Sequence, residues 1–108
     1  MQMCNNEIIT GVRTIDYRQE RGMLADANPF RTGLIIYNKT NTPLFILLND
    51  NADCDENRFT MILPAESMDT TLYNIPEEQL YKGRITYQLS AATSGMIAVT
   101  EFSLTNRK

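Results

Sequence analysis

Short segments rich in Ile, Leu, Thr, Tyr and Phe alternate along the chain with Gly, Pro, Asn and Asp, the punctuation of a β protein. The strands predicted in this way are 7–15, 33–37, 43–48, 58–63, 68–73, 84–89 and 96–102. Arg84-Ile85-Thr86-Tyr87-Gln88-Leu89 alternates apolar with polar, the pattern of a strand with one face on a core and the other in water. Leu34-Ile35-Ile36-Tyr37 and Leu44-Phe45-Ile46-Leu47-Leu48 are apolar at both parities, which predicts a central hairpin covered on both faces. Asn38-Lys39-Thr40-Asn41-Thr42-Pro43 would be its turn, and 63–67 and 92–95 read as further connections of hairpin length. One helical turn is expected at 74–79, and 18–28 is the one extended stretch without a strand pattern. The expectation is an all-β fold, a single antiparallel β-sandwich of about seven or eight strands, jelly-roll-like or Ig-like. It would occupy 22–108 behind an N-terminal strand or arm in 1–21. That segment carries Ile8, Ile9, Val12, Ile15 and Tyr17. It reads either as an edge strand, which the strand count of small antiparallel folds favours, or as an arm adding to another subunit's sheet.

Length and composition narrow the function. A chain of 108 residues supports one core, and none of its apolar runs approaches the ~20 residues of a membrane helix. The net charge of −3, with basic residues scattered apart from Arg107-Lys108, offers no stripe for a nucleic-acid backbone. Histidine is absent, which removes the commonest general base and metal ligand and every Ser-His or Cys-His nucleophile system. Cys4 and Cys54 lie too far apart in sequence for a metal knuckle and read as free thiols. The first residues lack the basic and apolar regions of a secretory signal, so synthesis in a cytosol is expected. The stretch 49–57 is rich in oxygen ligands, but counting from Asp53 puts Arg58 where a calcium loop needs Gly and Pro64 where it needs Glu. It reads as a solvated loop, as do the carboxylate pairs Asp53/Asp55 and Glu77/Glu78, and the sequon Asn38-Lys39-Thr40 reads as a turn. No catalytic, cofactor-binding or metal-ligating residue, and no cofactor, is expected.

Four stretches carry more information together than any of them does alone. Leu24-Ala25-Asp26-Ala27-Asn28-Pro29-Phe30-Arg31-Thr32-Gly33-Leu34-Ile35-Ile36-Tyr37-Asn38 resembles the N-terminal third of a family of small tailed-phage virion proteins. Phe59-Thr60-Met61-Ile62-Leu63-Pro64-Ala65 is similar to that family's strand and Leu-x-Pro/Ala-Gly turn. Tyr81-Lys82-Gly83-Arg84-Ile85 is similar to its Tyr-x-Gly-x-Ile motif, and 90–102 to its closing hairpin. The likeness covers roughly residues 20–103 and departs at Glu66, where the family usually has glycine, and in a longer, more acidic loop at 49–57. The resemblance implies a non-enzymatic structural component of a tailed-phage virion: a capsid decoration protein, head-fibre base, or connector or tail accessory. The implied partners are the major capsid protein or the portal, tail or fibre proteins, with self-association, a trimer by analogy, and no nucleic acid or membrane. The location implied is the virion, assembled in the host cytoplasm. A ligand- or carbohydrate-binding sandwich is the alternative, although Trp is absent and the five Tyr are dispersed. Glu101 shares its parity with Ile97 and Val99, and a carboxylate so placed needs a charged partner, for which Arg31 is the candidate; the alternative is that a bulge or fraying at the strand end turns Glu101 into water.

Overall fold

The computed structural model describes residues 7–73 and 75–104. Eight strands form in chain order: β1 (Ile8–Asp16), β2 (Arg21–Ala25), β3 (Arg31–Asn38), β4 (Leu44–Leu48), β5 (Met61–Leu63), β6 (Ser67–Asp69), β7 (Ile85–Leu89) and β8 (Met96–Leu104). They make two four-stranded sheets, β1-β8-β3-β6 and β2-β7-β4-β5, in which every pairing is antiparallel. First pairs with last, second with seventh, third with sixth and fourth with fifth, so the chain is one long hairpin rolled into a sandwich. That is the strand order of a jelly roll, which decides between the two sandwich types expected. The inward parities build the core: Ile15, Leu34, Ile36, Ile97 and Val99 from one sheet meet Leu24, Leu44, Ile46, Ile85, Tyr87 and Leu89 from the other.

The expected central hairpin does not form. β3 runs between β8 and β6, whereas β4 lies in the opposite sheet between β7 and β5. The connections after β5 and β7 likewise cross between sheets, so 63–67 and 92–95 are arches too. Nor are both faces of the two apolar strands fully covered, since Ile35 and Phe45 are half-buried and Tyr37 is exposed. Outward-facing Gly33 on β3 lies under the Tyr73 ring, and Leu47 on β4 is buried beneath connecting chain. The N-terminal segment is an edge strand paired with β8 of its own chain. The boundary drawn between 21 and 22 falls inside β2, a strand expected nowhere. A bulge between Met23 and Ala25 buries Leu24 and Ala25 consecutively and so erases the alternation. The expected strands 58–63 and 68–73 shorten to β5 and β6, and the helical turn is a single 3-10 turn at Glu77–Gln79. Asn74, which opened that expected turn, lies outside the described residues.

Among the described residues two non-glycines hold positive φ, Glu66 at 56° and Ala91 at 59°, both in arches. The turn that departs from the glycine pattern therefore keeps a glycine-type backbone. A side chain in that region costs about 1–2 kcal/mol, partly offset by glycine's greater freedom in the unfolded chain. Glu66→Gly and Ala91→Gly are each expected to stabilise by about 0.5–1 kcal/mol in urea denaturation. Gly95, at φ 103°, tolerates no replacement, because a Cβ there would run into the Lys39 carbonyl.

Candidate functional site

The two ends of β3 are buried polar hubs. Arg31 is fully buried. A bulge at Thr32 turns it inward, against the parity that leads outward through Gly33, Ile35 and Tyr37. Its Nε donates to Glu101 Oε2 at 2.8 Å, Nη1 to the carbonyls of Tyr81 and Gly83 at 3.0 and 3.1 Å, and Nη2 to that of Asp26 at 2.6 Å. The planar fork thus ties the β2–β3 and β6–β7 connections to β8. Asn28 sets the approach: its side-chain oxygen accepts from Phe30 N at 3.0 Å, and its amide donates to Ser103 Oγ at 2.7 Å. The expected Arg31–Glu101 pair is present, and every donor nitrogen of the guanidinium is engaged.

At the other end, Asn38 is fully buried. Its amide nitrogen lies 2.9, 3.1 and 3.0 Å from the carbonyls of Thr42, Leu63 and Pro64. Its oxygen accepts from the backbone N–H and hydroxyl of Thr40 at 3.0 and 2.6 Å. One side chain therefore clamps the β3–β4 arch to the β5–β6 arch and satisfies carbonyls that a hairpin ladder would have paired. The third arch joins through Asn41 and Thr93, which exchange bonds of 2.7 and 3.0 Å, and through the Thr42 hydroxyl donating to the Ser90 carbonyl. The sequon amide is enclosed and engaged, so the folded chain offers no glycan acceptor at Asn38.

The acidic loop is occupied with its own structure. Asp50 accepts from Arg84 N at 2.8 Å, Asp53 pairs with the Arg84 guanidinium at 2.6 Å, and Asp55 accepts from Asn57 N at 2.7 Å. No group of three or more His, Cys, Asp and Glu among the described residues is placed to hold a metal ion. The loop lies back on the second sheet, where Cys54 N donates to Thr86 Oγ1 at 2.9 Å. Cys54 is buried and free, while Cys4 lies outside the described residues. Burial, and then the nearby Asp55 carboxylate, push the Cys54 thiol up to about 11. A raised acid stabilises the fold while protonated, so this contribution is full below pH about 9 and is lost as pH climbs toward 11. Tyr87, raised by burial and donating to the Gln19 carbonyl at 2.6 Å, adds in the same direction. Cys54 is expected to resist thiol reagents at neutral pH until the chain unfolds, checked by peptide mapping of the labelled protein. Stability should fall by roughly 2–3 kcal/mol across that alkaline window.

Beside a groove of about 240 Å³ lined by Tyr37, Lys39 and Glu66, two others indent the described surface. One, of about 300 Å³, is lined by Arg21, Asp53, Cys54, Arg84 and Tyr87; its thiol is protonated at neutral pH, and Arg84 is held by Asp53. The other, of about 220 Å³, lies beneath the outer half of β1, between Gly11, Arg13, Leu24 and Glu101.

The outer face of the first sheet differs from both. Its outward positions are Ile8, Thr10, Val12 and Thr14 on β1, Met96, Ala98, Thr100 and Phe102 on β8, Ile35 and Tyr37 on β3, and Met68 on β6. None is charged. Of the ten large hydrophobic residues exposed among those described, Ile8, Val12, Tyr37, Met68, Tyr73 and Met96 belong to this face, Tyr73 through its ring contact with Phe102. Charges stand at its rim, where Arg18 pairs with Asp16 and Lys39 lies over the Tyr37 ring. An apolar centre with a charged rim is the anatomy of a protein–protein contact, and a patch this continuous is uncommon on a surface facing only water. On the second sheet the 49–57 loop packs at Thr86, and the exposed apolar residues are fewer, Ile62 on β5 and Phe59 against the Phe45 ring.

No family model, curated protein or solved structure matches the chain. No helix among the described residues is long and apolar enough to cross a membrane. What the fold and the surface define is an eight-stranded jelly roll with one uncharged sheet face.

Proposed function

We propose that this jelly roll is a non-enzymatic structural module of a tailed-phage virion, docking on the capsid or on the connector and tail surface in many copies. The observation that carries the reading is the uncharged outer face of the β1-β8-β3-β6 sheet, which holds six of the ten exposed large hydrophobic residues. Such a face is suited to a flat protein neighbour. The stretches that carry the sequence resemblance add a second line of support, because they converge. Asn28, Arg31, Tyr81, Gly83 and Glu101 meet at one hub, and Asn38, Leu63 and Pro64 at the other. Motifs that are scattered in sequence thus specify one way of closing this sandwich. Fold alone assigns no role, since jelly rolls serve both capsids and lectins. Quantitative mass spectrometry of purified particles of the encoding phage tests the reading: several copies per virion are expected. Absence from the particle, together with saturable binding on a glycan array, would replace it with a carbohydrate-binding module.

A further inference from the structure

The four sheet edges are unequal. β5 and β6 are three residues each, and β2 is five residues interrupted by a bulge. Shortness and bulges are the ordinary protections of an exposed edge. β1 has none of them: it runs nine residues with no proline, no lysine and no register shift against β8, and its side chains from Ile8 to Thr14 are all exposed.

The hydrogen-bond phase of that edge follows from three bonds. Tyr17 N donates to the Gly95 carbonyl at 3.1 Å, which continues the β1–β8 ladder; Lys39 N donates to the Met96 carbonyl at 2.9 Å and Leu104 N to the Phe30 carbonyl at 2.8 Å on the β3 side of β8. Bonded and non-bonded pairs alternate in an antiparallel ladder. Ile9, Gly11, Arg13 and Ile15 therefore bond to β8, and Ile8, Thr10, Val12 and Thr14 direct both their N–H and C=O groups to the open edge, whereas Asp16, of the same parity, has its carbonyl taken by Gln19 N at 3.0 Å. The occupant these groups call for is an extended strand.

We infer that the strand is β1 of a second copy, running antiparallel across a two-fold axis beside Gly11. The four open residues are disposed symmetrically about position 11, and this register pairs each of them with another open residue: Ile8 with the partner's Thr14, and Thr10 with the partner's Val12. Gly11 meets its own equivalent on the axis, where facing Cα atoms approach most closely, and a Cβ on it touches nothing within 4 Å in the single chain. Arg13, the one charged residue between Ile8 and Ile15, faces the partner's Ile9, so no like charges meet. The pairing is isologous, closes on itself and leaves no growing edge. It joins two uncharged outer faces into one eight-stranded surface of order β6-β3-β8-β1-β1-β8-β3-β6. The two-fold unit takes the place of the trimer implied by resemblance, and it stands whether or not the chain belongs to a virion. A seam of seven residues is about 24 Å long at ~3.4 Å per residue, small for a protein contact, so micromolar association is expected.

Sedimentation equilibrium from micromolar to millimolar protein tests the seam. The wild type is expected to pass from monomer to dimer, with amide exchange at Thr10, Val12 and Thr14 slowing as concentration rises. Val12→Pro removes an outward N–H without touching the β8 ladder and should weaken dimerisation by about 100-fold or more with an unchanged circular dichroism spectrum. Gly11→Lys guards against a folding defect in that variant. Its side chain enters open space opposite Glu101 in the monomer but faces its own copy across the axis, so dimerisation should fail and recover in part at high salt. A wild type that stays monomeric throughout, a trimer, or a dimer indifferent to both substitutions would overturn the inference.

Discussion

Arg31→Ala is expected to destabilise the chain by about 3–5 kcal/mol, the cost of removing one partner from a buried charged network. The side chain has no exposed surface, and its loss strands the carbonyls of Asp26, Tyr81 and Gly83 together with Glu101. Glu101→Gln should cost less, about 1 kcal/mol, because the Glu101 side chain is 28% exposed and an amide oxygen still accepts from Arg31 Nε. The double mutant should be less destabilised than the sum of the single losses by at least about 1 kcal/mol. Urea denaturation of the three variants measures this. Small, additive losses would contradict a buried network at this end of β3.

Asn38→Ala is expected to cost about 2–3 kcal/mol, since it leaves the buried Leu63 carbonyl and Thr40 N–H without their side-chain partner, while the Thr42 and Pro64 carbonyls keep bonds from the Thr40 and Ser67 hydroxyls. Asn38→Asp isolates the cause. It keeps the shape and the acceptor for Thr40, but sets a carboxylate against the Thr42, Leu63 and Pro64 carbonyls, and should be at least as damaging as alanine. An aspartate variant as stable as the wild type would show that the arches hold without the amide.

These two residues also explain what could be read from the sequence. The alternation in β7 and the turn residues between strands are local properties, so the fold class was legible. Pairing was not, because the five residues from Lys39 to Pro43 suit a hairpin or an arch equally well. What makes an arch is the side chain of Asn38, replacing ladder bonds with bonds to two distant carbonyls, and in sequence it looks like any turn asparagine. β2 was hidden because its bulge buries two neighbours in succession and because Gly22, lying against the Tyr87 ring, looks like a break. The Arg31–Glu101 pair was legible from the parity of β8 alone. The parity of β3 would have sent Arg31 to the outer face, and only the bulge at Thr32 brings it inside. The apolar outer face was not legible, because which outward residues of the apolar strands stay open depends on the pairing: Gly33 lies under the Tyr73 ring, whereas Tyr37 remains exposed.

The proposed role rests on that sheet face, and the most direct measurement is co-sedimentation of the purified chain with phage particles assembled without it. Wild-type protein is expected to bind to saturation at many copies per particle, and Tyr37→Glu and Met68→Glu, which place charge on the exposed β3–β6 side of the face without entering the core, should each weaken binding by at least about tenfold. Wild-type protein that remains in the supernatant, or glutamate variants that bind as tightly as it does, would contradict the account.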